Sequence, residues 1–275
     1  MKLLTWNIQW CRGVDGRVDP GRIARTALAL ADPDIVCLQE VAANFPQLEG
    51  SAGEDQPRLL AAAFAGYSAH FAAGVDVADG AGGRRRFGNM ILSRLPVGRV
   101  QRHALPWPAD AAVPSMPRVA LEAVVETAFG PLRVVTTHLE YYSGTQRAAQ
   151  VARLRELQAQ AVLHAASGNS FPEETGPFRA LPYPASAVIA GDFNMPPRDP
   201  LLAQMGETFA DAWRTAHPGA AHPPTFCLHE HEHGDEPYCC DYVFLTPDLA
   251  PRLRSVRVDG DVQASDHQPV IVELA

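Results

Sequence analysis

The stretch Asp34–Glu40, with the sequence DIVCLQE, predicts a β-strand that is buried on both faces and ends in two polar side chains. Continuous apolar runs such as Ile35–Leu38 are typical of strands inside the parallel sheets of α/β proteins. A helix is predicted just before this strand, because Asp19 can cap it and Pro20 suits its first position. The sequence Ala31-Asp32-Pro33 ends that helix. A helix followed directly by a buried strand predicts an α/β fold.

The rest of the chain alternates predicted strands and helices in the same way. Further strands are predicted at Lys2–Asn7, Tyr67–Phe71, Phe87–Ser93, Arg118–Thr127, Leu132–Thr137, Ser186–Gly191, Cys239–Leu245, Leu253–Val258 and Gln268–Leu274. Further helices are predicted at Pro57–Phe64 and Thr145–Ala166, and long loops at 41–56, 74–86 and 167–185. No low-complexity linker divides the chain, so we expect one domain spanning residues 1–275.

The composition limits the classes of partner. The 275 residues carry 23 basic and 31 acidic side chains, a net charge of −8, which disfavours avid binding of nucleic acid. No apolar run approaches the ~20 residues of a membrane helix, and the N-terminal residues lack the features of a signal peptide. The five cysteines have no framework spacing. We therefore expect a cytoplasmic protein without stable membrane association, and its oligomeric state stays open.

Polar residues collect where the predicted strands end. They are Asn7, Gln39 with Glu40, His138, Asp192 with Asn194, and Asp266 with His267 directly before the last strand. Any one of them has an ordinary structural explanation, such as a helix cap, a turn or a buried histidine. Strand ends of an α/β sheet are where ligands bind, so together they predict one polar cleft.

These residue types suit the hydrolysis of a phosphate ester. Mg²⁺ prefers oxygen ligands, so we expect Glu40 to bind it, with Asn7 and Asp266 completing the shell directly or through water. The remaining residues have predicted catalytic roles: Asp192 and Asn194 orient the attacking water, His267 contacts phosphoryl oxygens or moves a proton, Asp241 fixes the tautomer of His267, and His138 stabilises the charged pentacoordinate species.

Six motifs in order resemble the endonuclease/exonuclease/phosphatase superfamily, which includes DNase I. They are Thr5-Trp6-Asn7-Ile8, Leu38-Gln39-Glu40, Gly88–Arg94 (GNMILSR), Thr137-His138-Leu139, Gly191-Asp192-Phe193-Asn194 and Ser265-Asp266-His267. The resemblance implies a four-layer α/β sandwich, in which two mixed sheets pack face to face between outer helices. It also implies Mg²⁺ or Mn²⁺ and hydrolysis of a phosphomonoester or phosphodiester.

The resemblance also extends to single positions. Asn7, Glu40 and Asp266 match the family's metal ligands, Asp192 and Asn194 its water- and phosphate-orienting pair, and Asp241 with His267 its Asp–His pair. It adds two candidate substrate-binding residues, Arg118, which matches an arginine that contacts phosphate, and Asn89, which follows Gly88 in the third motif.

Two departures from the family pattern bear on the substrate. Apurinic-site endonucleases carry an acidic residue where this chain has Gln9 and a tyrosine where it has His138, so abasic-site repair is disfavoured. Histidine at the second position is similar to DNase I-type nucleases, sphingomyelinases, inositol-phosphate phosphatases and tyrosyl-DNA phosphodiesterases. We thus expect a phosphate-ester substrate, such as a nucleic acid or a small phosphorylated molecule, and Tyr141, Tyr142 and Arg147 are candidates to stack on it or clamp it.

Two alternative functions remain beside the phosphoesterase hypothesis, and one further motif has to be interpreted. The alternatives are a lipid or inositol-phosphate phosphoesterase and a catalytically inactive binding protein with the same fold. The motif is a histidine-rich segment in which His229, His231 and His233 alternate. It matches no structural zinc spacing, so we interpret it as a polar loop at the cleft rim.

Overall fold

A computed structural model describes residues 1–167, 175–229 and 236–275. The strands are β1 Lys2–Asn7, β2 Ile35–Ala43, β3 Ser68–Ala78, β4 Arg84–Ser93, β5 Val97–Ala104, β6 Val119–Thr127, β7 Gly130–His138, β8 Ala187–Asp192, β9 Ala210–Asp211, β10 Asp241–Leu245, β11 Leu253–Val258 and β12 Val270–Leu274. The α-helices are α1 Pro20–Ala31, α2 Gln56–Ala63, α3 Gly144–Ser167, α4 Pro200–Gly206 and α5 Ala212–Ala216. No helix in these described ranges is both long and apolar enough to cross a membrane.

The strands form two six-stranded mixed sheets. Sheet 1 has the order β11-β12-β1-β2-β4-β3, and sheet 2 has the order β5-β6-β7-β8-β10-β9. Each sheet contains one central parallel pair, β1 with β2 and β7 with β8, flanked by antiparallel strands. Predicted site residues lie at or near the carboxyl ends of the four strands in these parallel pairs.

Three apolar clusters hold four layers together. The sheets pack against each other through residues such as Leu3, Ile35 and Val134. On the outer face of sheet 1, Trp6 packs with α1 and α2 residues, and Val151 of α3 packs on the outer face of sheet 2. Two sheets buried face to face between helices confirm the predicted four-layer α/β sandwich.

The range 74–86 forms most of a β-hairpin, so its prediction as a loop was wrong. Strand β3 continues to Ala78 and β4 begins at Arg84. After a register shift between Ala73 and Val75, the two strands pair up to a turn in which Asp79 accepts backbone N–H groups. Strand β5 and helices α4 and α5 were also missed. These elements are short or lie at a sheet edge, where alternating polar residues give no apolar run.

Candidate active site

The carboxyl ends of the two parallel pairs meet at a cleft of about 390 Å³. Asn7 lies at its base, completely buried. The described residues that line the cleft are Gln9, Trp10, Glu40, Met116, Arg118, His138, Tyr141, Tyr142, Asp192, Asn194, Phe226, Asp266 and His267. Seven of the ten predicted site residues, which are far apart in sequence, therefore line one cleft.

A β-bulge turns Glu40 toward the cleft. The register between β2 and β4 shifts between Leu38 and Val41, and Glu40 has a φ of +60°, an uncommon conformation for a residue with a side chain. Burial, together with repulsion from the carboxylate of Asp266, raises the pKa of Glu40 to about 7. The cleft thus gathers carboxylates that disfavour one another's charge.

The donor set fits a divalent cation. Glu40 and Asp266 supply carboxylate oxygens, which Mg²⁺ and Mn²⁺ prefer, and a bound cation would relieve the repulsion that raises the pKa of Glu40. The Ser265 hydroxyl lies within hydrogen-bond distance of both the Asn7 carbonyl, at 2.8 Å, and Asp266 Oδ1, at 3.1 Å, and can donate its one proton to either. Ser265 thereby ties this acidic segment to β1.

The Asn7 side chain lies at the centre of the carboxylates. Its Nδ2 group donates to Glu40 Oε1 at 3.1 Å and to Asp192 Oδ2 at 2.9 Å, and its Oδ1 atom accepts the Gln9 backbone N–H at 3.1 Å. In this arrangement the amide orients the two carboxylates, and its oxygen accepts one backbone N–H and keeps a second lone pair. Its predicted role in completing the metal shell, directly or through water, stays a prediction.

Asp192 is fixed by the turn that follows β8. Its Oδ1 atom accepts the backbone N–H of Asn194 at 2.8 Å, and the Asn194 side chain donates to the Leu139 carbonyl at 2.8 Å. Gly191 precedes it with a φ of +145°, and a Cβ atom there would lie 2.0 Å from the Thr137 carbonyl oxygen. Only glycine permits this close approach of β8 to β7.

His267 and Asp241 form the predicted pair. The two side chains join through Nδ1 and Oδ2 at 2.9 Å, and Asp241 Oδ2 also accepts the Thr225 hydroxyl at 2.6 Å. Burial disfavours the imidazolium, but the carboxylates of Asp241 and Asp266 outweigh it and hold the pKa of His267 well above its usual value. Its other nitrogen, Nε2, lies 3.8 Å from Asp192 Oδ2.

His138 faces the same carboxylates but has the opposite charge preference. Its Nε2 atom lies 3.4 Å from Asp192 Oδ2 and its Nδ1 atom 3.9 Å from Glu40 Oε1. Burial, and next the positive charge of Arg118, lower the pKa of His138 to about 3. The two imidazoles therefore have opposite charge preferences, which is a common way to divide proton-transfer roles.

Arg118 is buried beside His138 and anchored from one side. Its Nε group donates to Glu140 Oε2 at 3.2 Å. Its Nη1 atom is buried and has no hydrogen-bond partner among the described residues. A buried guanidinium nitrogen without a partner is costly unless a ligand satisfies it, and phosphate oxygens suit a guanidinium.

Asn89 does not line the cleft. It is buried on β4, and its Nδ2 group donates to the Val119 carbonyl of β6 at 2.8 Å, so it links the two sheets beneath Arg118. Its proposed contact with substrate is untested.

Sequence reasoning missed two residues that support the site. Thr225 binds Asp241, and Glu140 binds Arg118. Neither belongs to a motif, and Thr225 lies 16 residues before its partner. An acidic residue two positions after His138, at the end of a buried strand, was the available signal for Glu140. Arg147 holds the loop instead of facing substrate, because it donates to the backbone carbonyls of Glu140 and Tyr141.

The histidine-rich segment adds no ligand in the described ranges. His231 and His233 lie outside the described residues, and His229 contacts the Gly260 carbonyl. Among the described residues, one group of potential metal ligands clusters within 4.8 Å, and it comprises Asp192 and His267 of the cleft together with Cys240. Burial raises the pKa of the Cys240 thiol well above its usual value, so the protonated form is favoured and the carboxylates are the better ligands.

Comparison with known proteins identifies the family. The endonuclease/exonuclease/phosphatase family model matches residues 4–267. No functionally curated protein matches the sequence significantly. Among solved structures, a family protein from Beutenbergia cavernae is 29% identical, with a TM-score of 0.66, covering 99% of this chain and 70% of that one.

Two further structures have lower identity and support the fold alone. A 3′ phosphatase from Neisseria, solved with a product DNA hairpin, is 19% identical with a TM-score of 0.61, and the match covers 100% of this chain and 99% of that one. A mannosyl-6-phosphatase from Bacteroides thetaiotaomicron is 16% identical with a TM-score of 0.63 and the same coverage. Because the family model matches nearly the whole chain, this protein belongs to the endonuclease/exonuclease/phosphatase family.

Proposed function

We propose that this protein is a divalent-metal-dependent phosphoesterase that hydrolyses a phosphodiester or phosphomonoester by in-line attack of water. The observation that carries the proposal is the convergence of Glu40, Asp266, Asp192, His138 and His267 on one cleft. An inactive binding protein on the same fold would be expected to have lost at least one of these groups or Asn194, and all of them are present.

Glu40 and Asp266 would hold Mg²⁺ or Mn²⁺. The bound ion would supply charge neutralisation at the phosphate and its leaving oxygen. The chain's own contribution is to keep both carboxylates in place, Glu40 through Asn7 and the β2 bulge, and Asp266 through Ser265.

Asp192 is the proposed acceptor of the proton from the attacking water. Its Oδ1 atom is occupied by the turn, which leaves Oδ2 to orient water from a position fixed by Asn7. The Asn194 side chain borders the same space and is anchored to Leu139. A water held by these groups can approach phosphorus opposite the leaving oxygen.

On the other side of the phosphate, cationic and neutral side chains would donate hydrogen bonds to the phosphoryl oxygens. His267, kept cationic by Asp241, can donate from Nε2 to a phosphoryl oxygen, and Arg118 can donate from its unpaired Nη1. His138 remains neutral and can donate one N–H to the charge that develops in the transition state.

A panel of phosphate esters tests this proposal. Wild-type protein is assayed with Mg²⁺ and with EDTA on plasmid DNA, single-stranded oligonucleotides, RNA, bis-p-nitrophenyl phosphate, inositol phosphates and sphingomyelin. We expect EDTA-sensitive hydrolysis of at least one ester, reduced at least a hundredfold by Asp192→Asn. Asp261→Asn, at an exposed aspartate outside the cleft, is the control. Full activity of Asp192→Asn with unchanged folding would refute the proposed role.

A further inference from the structure

Two adjacent tyrosines stand at the rim of the cleft. Tyr141 and Tyr142 are 40% and 58% exposed, and their rings meet edge to face with centroids 4.8 Å apart. Both residues line the cleft, and they follow His138 by three and four positions. Exposed aromatic rings next to a reaction centre are typical of surfaces that contact a ligand.

The backbone beneath the tyrosines is fixed from three sides. The Tyr142 N–H donates to Glu140 Oε1 at 3.0 Å, Arg147 donates to the Tyr141 carbonyl at 2.9 Å, and Gln150 accepts the Glu140 N–H at 2.8 Å. Each of the anchoring side chains is held by α3 or by the buried end of β7. The rings therefore project from a rigid segment, which lowers the entropy lost when they bind a ligand.

The opposite wall is also aromatic. Trp10 lines the cleft on the sheet 1 side, where its indole N–H donates to the Glu49 carbonyl and its own carbonyl accepts Gln56. Phe226 packs against the His267 ring with centroids 4.6 Å apart. A ligand in the cleft would thus have aromatic surfaces on more than one side.

The cleft-lining residues that have no proposed role in binding metal, water or phosphate indicate which class of ligand the cleft can bind. Once the groups proposed for metal, water and phosphate are set aside, the described lining consists of Trp10, Met116, Tyr141, Tyr142, Phe226 and one amide, Gln9. This set offers few partners for the many hydroxyls of a sugar. The described lining contains a single arginine or lysine, Arg118, which is few for a polyanionic strand.

Gln9 favours a ligand that carries an N–H donor. Its side-chain oxygen is buried and has no hydrogen-bond partner in the described ranges, although the residue lines the cleft. This oxygen can accept an N–H group from a ligand, and a base edge is a planar source of such donors.

We propose that the substrate is a small phosphate ester that carries a nucleobase, and that the base stacks on Tyr141 or Tyr142 while Gln9 accepts one of its N–H groups. This inference rests on the proposed phosphoesterase function and names its substrate class. A cleft of about 390 Å³ suits a ligand of one or two nucleotides.

Substrate pairs that differ only in the base test the inference. Adenosine 5′-monophosphate is compared with ribose 5-phosphate, and the methyl phosphodiester of each is compared in the same way, so that the scissile bond is matched within a pair. We expect kcat/KM to be about tenfold to a hundredfold higher with the base, as stacking on an aromatic side chain provides. Glucose 6-phosphate and oligonucleotides of two, four and eight residues complete the series.

Variants of the two rim tyrosines test whether these side chains cause the preference for substrates that carry a base. Tyr141→Leu with Tyr142→Leu should reduce the base preference at least fivefold, and Tyr141→Phe with Tyr142→Phe should retain it. Trp107→Leu removes a similarly exposed aromatic residue outside the cleft lining and should leave the ratio unchanged. A leucine pair that lowers kcat/KM equally for both members of each substrate pair would indicate a structural role and overturn the assignment.

A binding measurement separates this inference from the proposed function. Calorimetry of adenosine 5′-monophosphate and ribose 5-phosphate with Asp192→Asn and Mg²⁺ needs no turnover, and we expect the same tenfold or larger preference for the nucleotide. Equal affinity would refute the inference even if the wild-type protein hydrolyses esters. Better binding of glucose 6-phosphate, or a kcat/KM that rises steadily with oligonucleotide length, would also refute it.

Discussion

Replacement of Gly191 by alanine tests how strictly the proposed active site depends on the backbone that leads to Asp192. The added Cβ atom would lie 2.0 Å from the Thr137 carbonyl oxygen, and real contacts of this kind are essentially never below 3.0 Å. The two strands must therefore separate by about 1 Å at this point. The positive φ of +145° adds conformational strain, because residues with a Cβ rarely adopt it.

This displacement acts directly on the groups that we propose to be catalytic. Asp192 pairs with His138 and Asp241 across the neighbouring strands, and its Oδ2 atom lies 2.9 Å from Asn7 Nδ2. A shift of about 1 Å in a catalytic group can cost about a hundredfold in rate. We expect Gly191→Ala to lower kcat by about that factor, with a loss of stability of only about 1–3 kcal/mol.

The assay combines Mg²⁺-dependent ester hydrolysis with thermal unfolding followed by circular dichroism. Gly98→Ala is the matched control, because Gly98 lies in strand β5 and a Cβ there would meet no atom within 4 Å. The control should keep full activity and an equal or slightly higher Tm. A folded Gly191→Ala variant with kcat within twofold of wild type would refute the reasoning.

Three further predictions concern buried polar residues. Asn89→Leu should lower the free energy of unfolding by about 1–3 kcal/mol in urea titrations, because a carbonyl of the facing sheet loses its donor; an increased KM with unchanged stability would instead indicate substrate contact. Arg118→Gln should weaken binding of inorganic phosphate about tenfold to a hundredfold in calorimetry, and unchanged affinity would exclude the phosphate contact. Glu122 is buried, which raises its pKa, but His103 and Arg133 outweigh this and lower it to about 2. Its charge should therefore stabilise the fold above about pH 4 and cease to do so as the pH falls through 2, so that urea midpoints of wild type and Glu122→Gln differ at pH 7 and converge in acid; a constant difference would contradict this.

The location of the site could be predicted from sequence because its signal is local. An apolar run that ends in a polar residue marks the end of a buried strand, and Asn7, His138 and Asp192 each occupy such a position. Glu40 instead lies at a bulge within β2, which continues to Ala43 beyond its predicted end. The parallel pairing of β1 with β2 and of β7 with β8 then brings these ends together. The alternation of strands and helices predicted an α/β fold, and the resemblance to the family implied its four-layer arrangement.

The orientation of side chains within the site depends on contacts that no local pattern contains. The bulge that turns Glu40 toward the cleft arises from a register shift against β4, some fifty residues later in the chain. The pairing of Arg118 with Glu140 spans 22 residues and crosses from the start of β6 to the end of β7. The placement of Asn89 under the cleft is likewise set by the packing of the two sheets.

The central claim is that the carboxylates of the cleft bind a divalent cation that hydrolysis requires. The most direct measurement is calorimetric titration of Mg²⁺ into metal-stripped wild-type protein and into Glu40→Gln, with ester hydrolysis followed in the same samples. We predict that stripped wild type regains activity as Mg²⁺ binds, and that Glu40→Gln binds Mg²⁺ at least tenfold more weakly with a matching loss of turnover. Hydrolysis that persists in EDTA, or Glu40→Gln that binds Mg²⁺ as tightly as wild type, would contradict the claim.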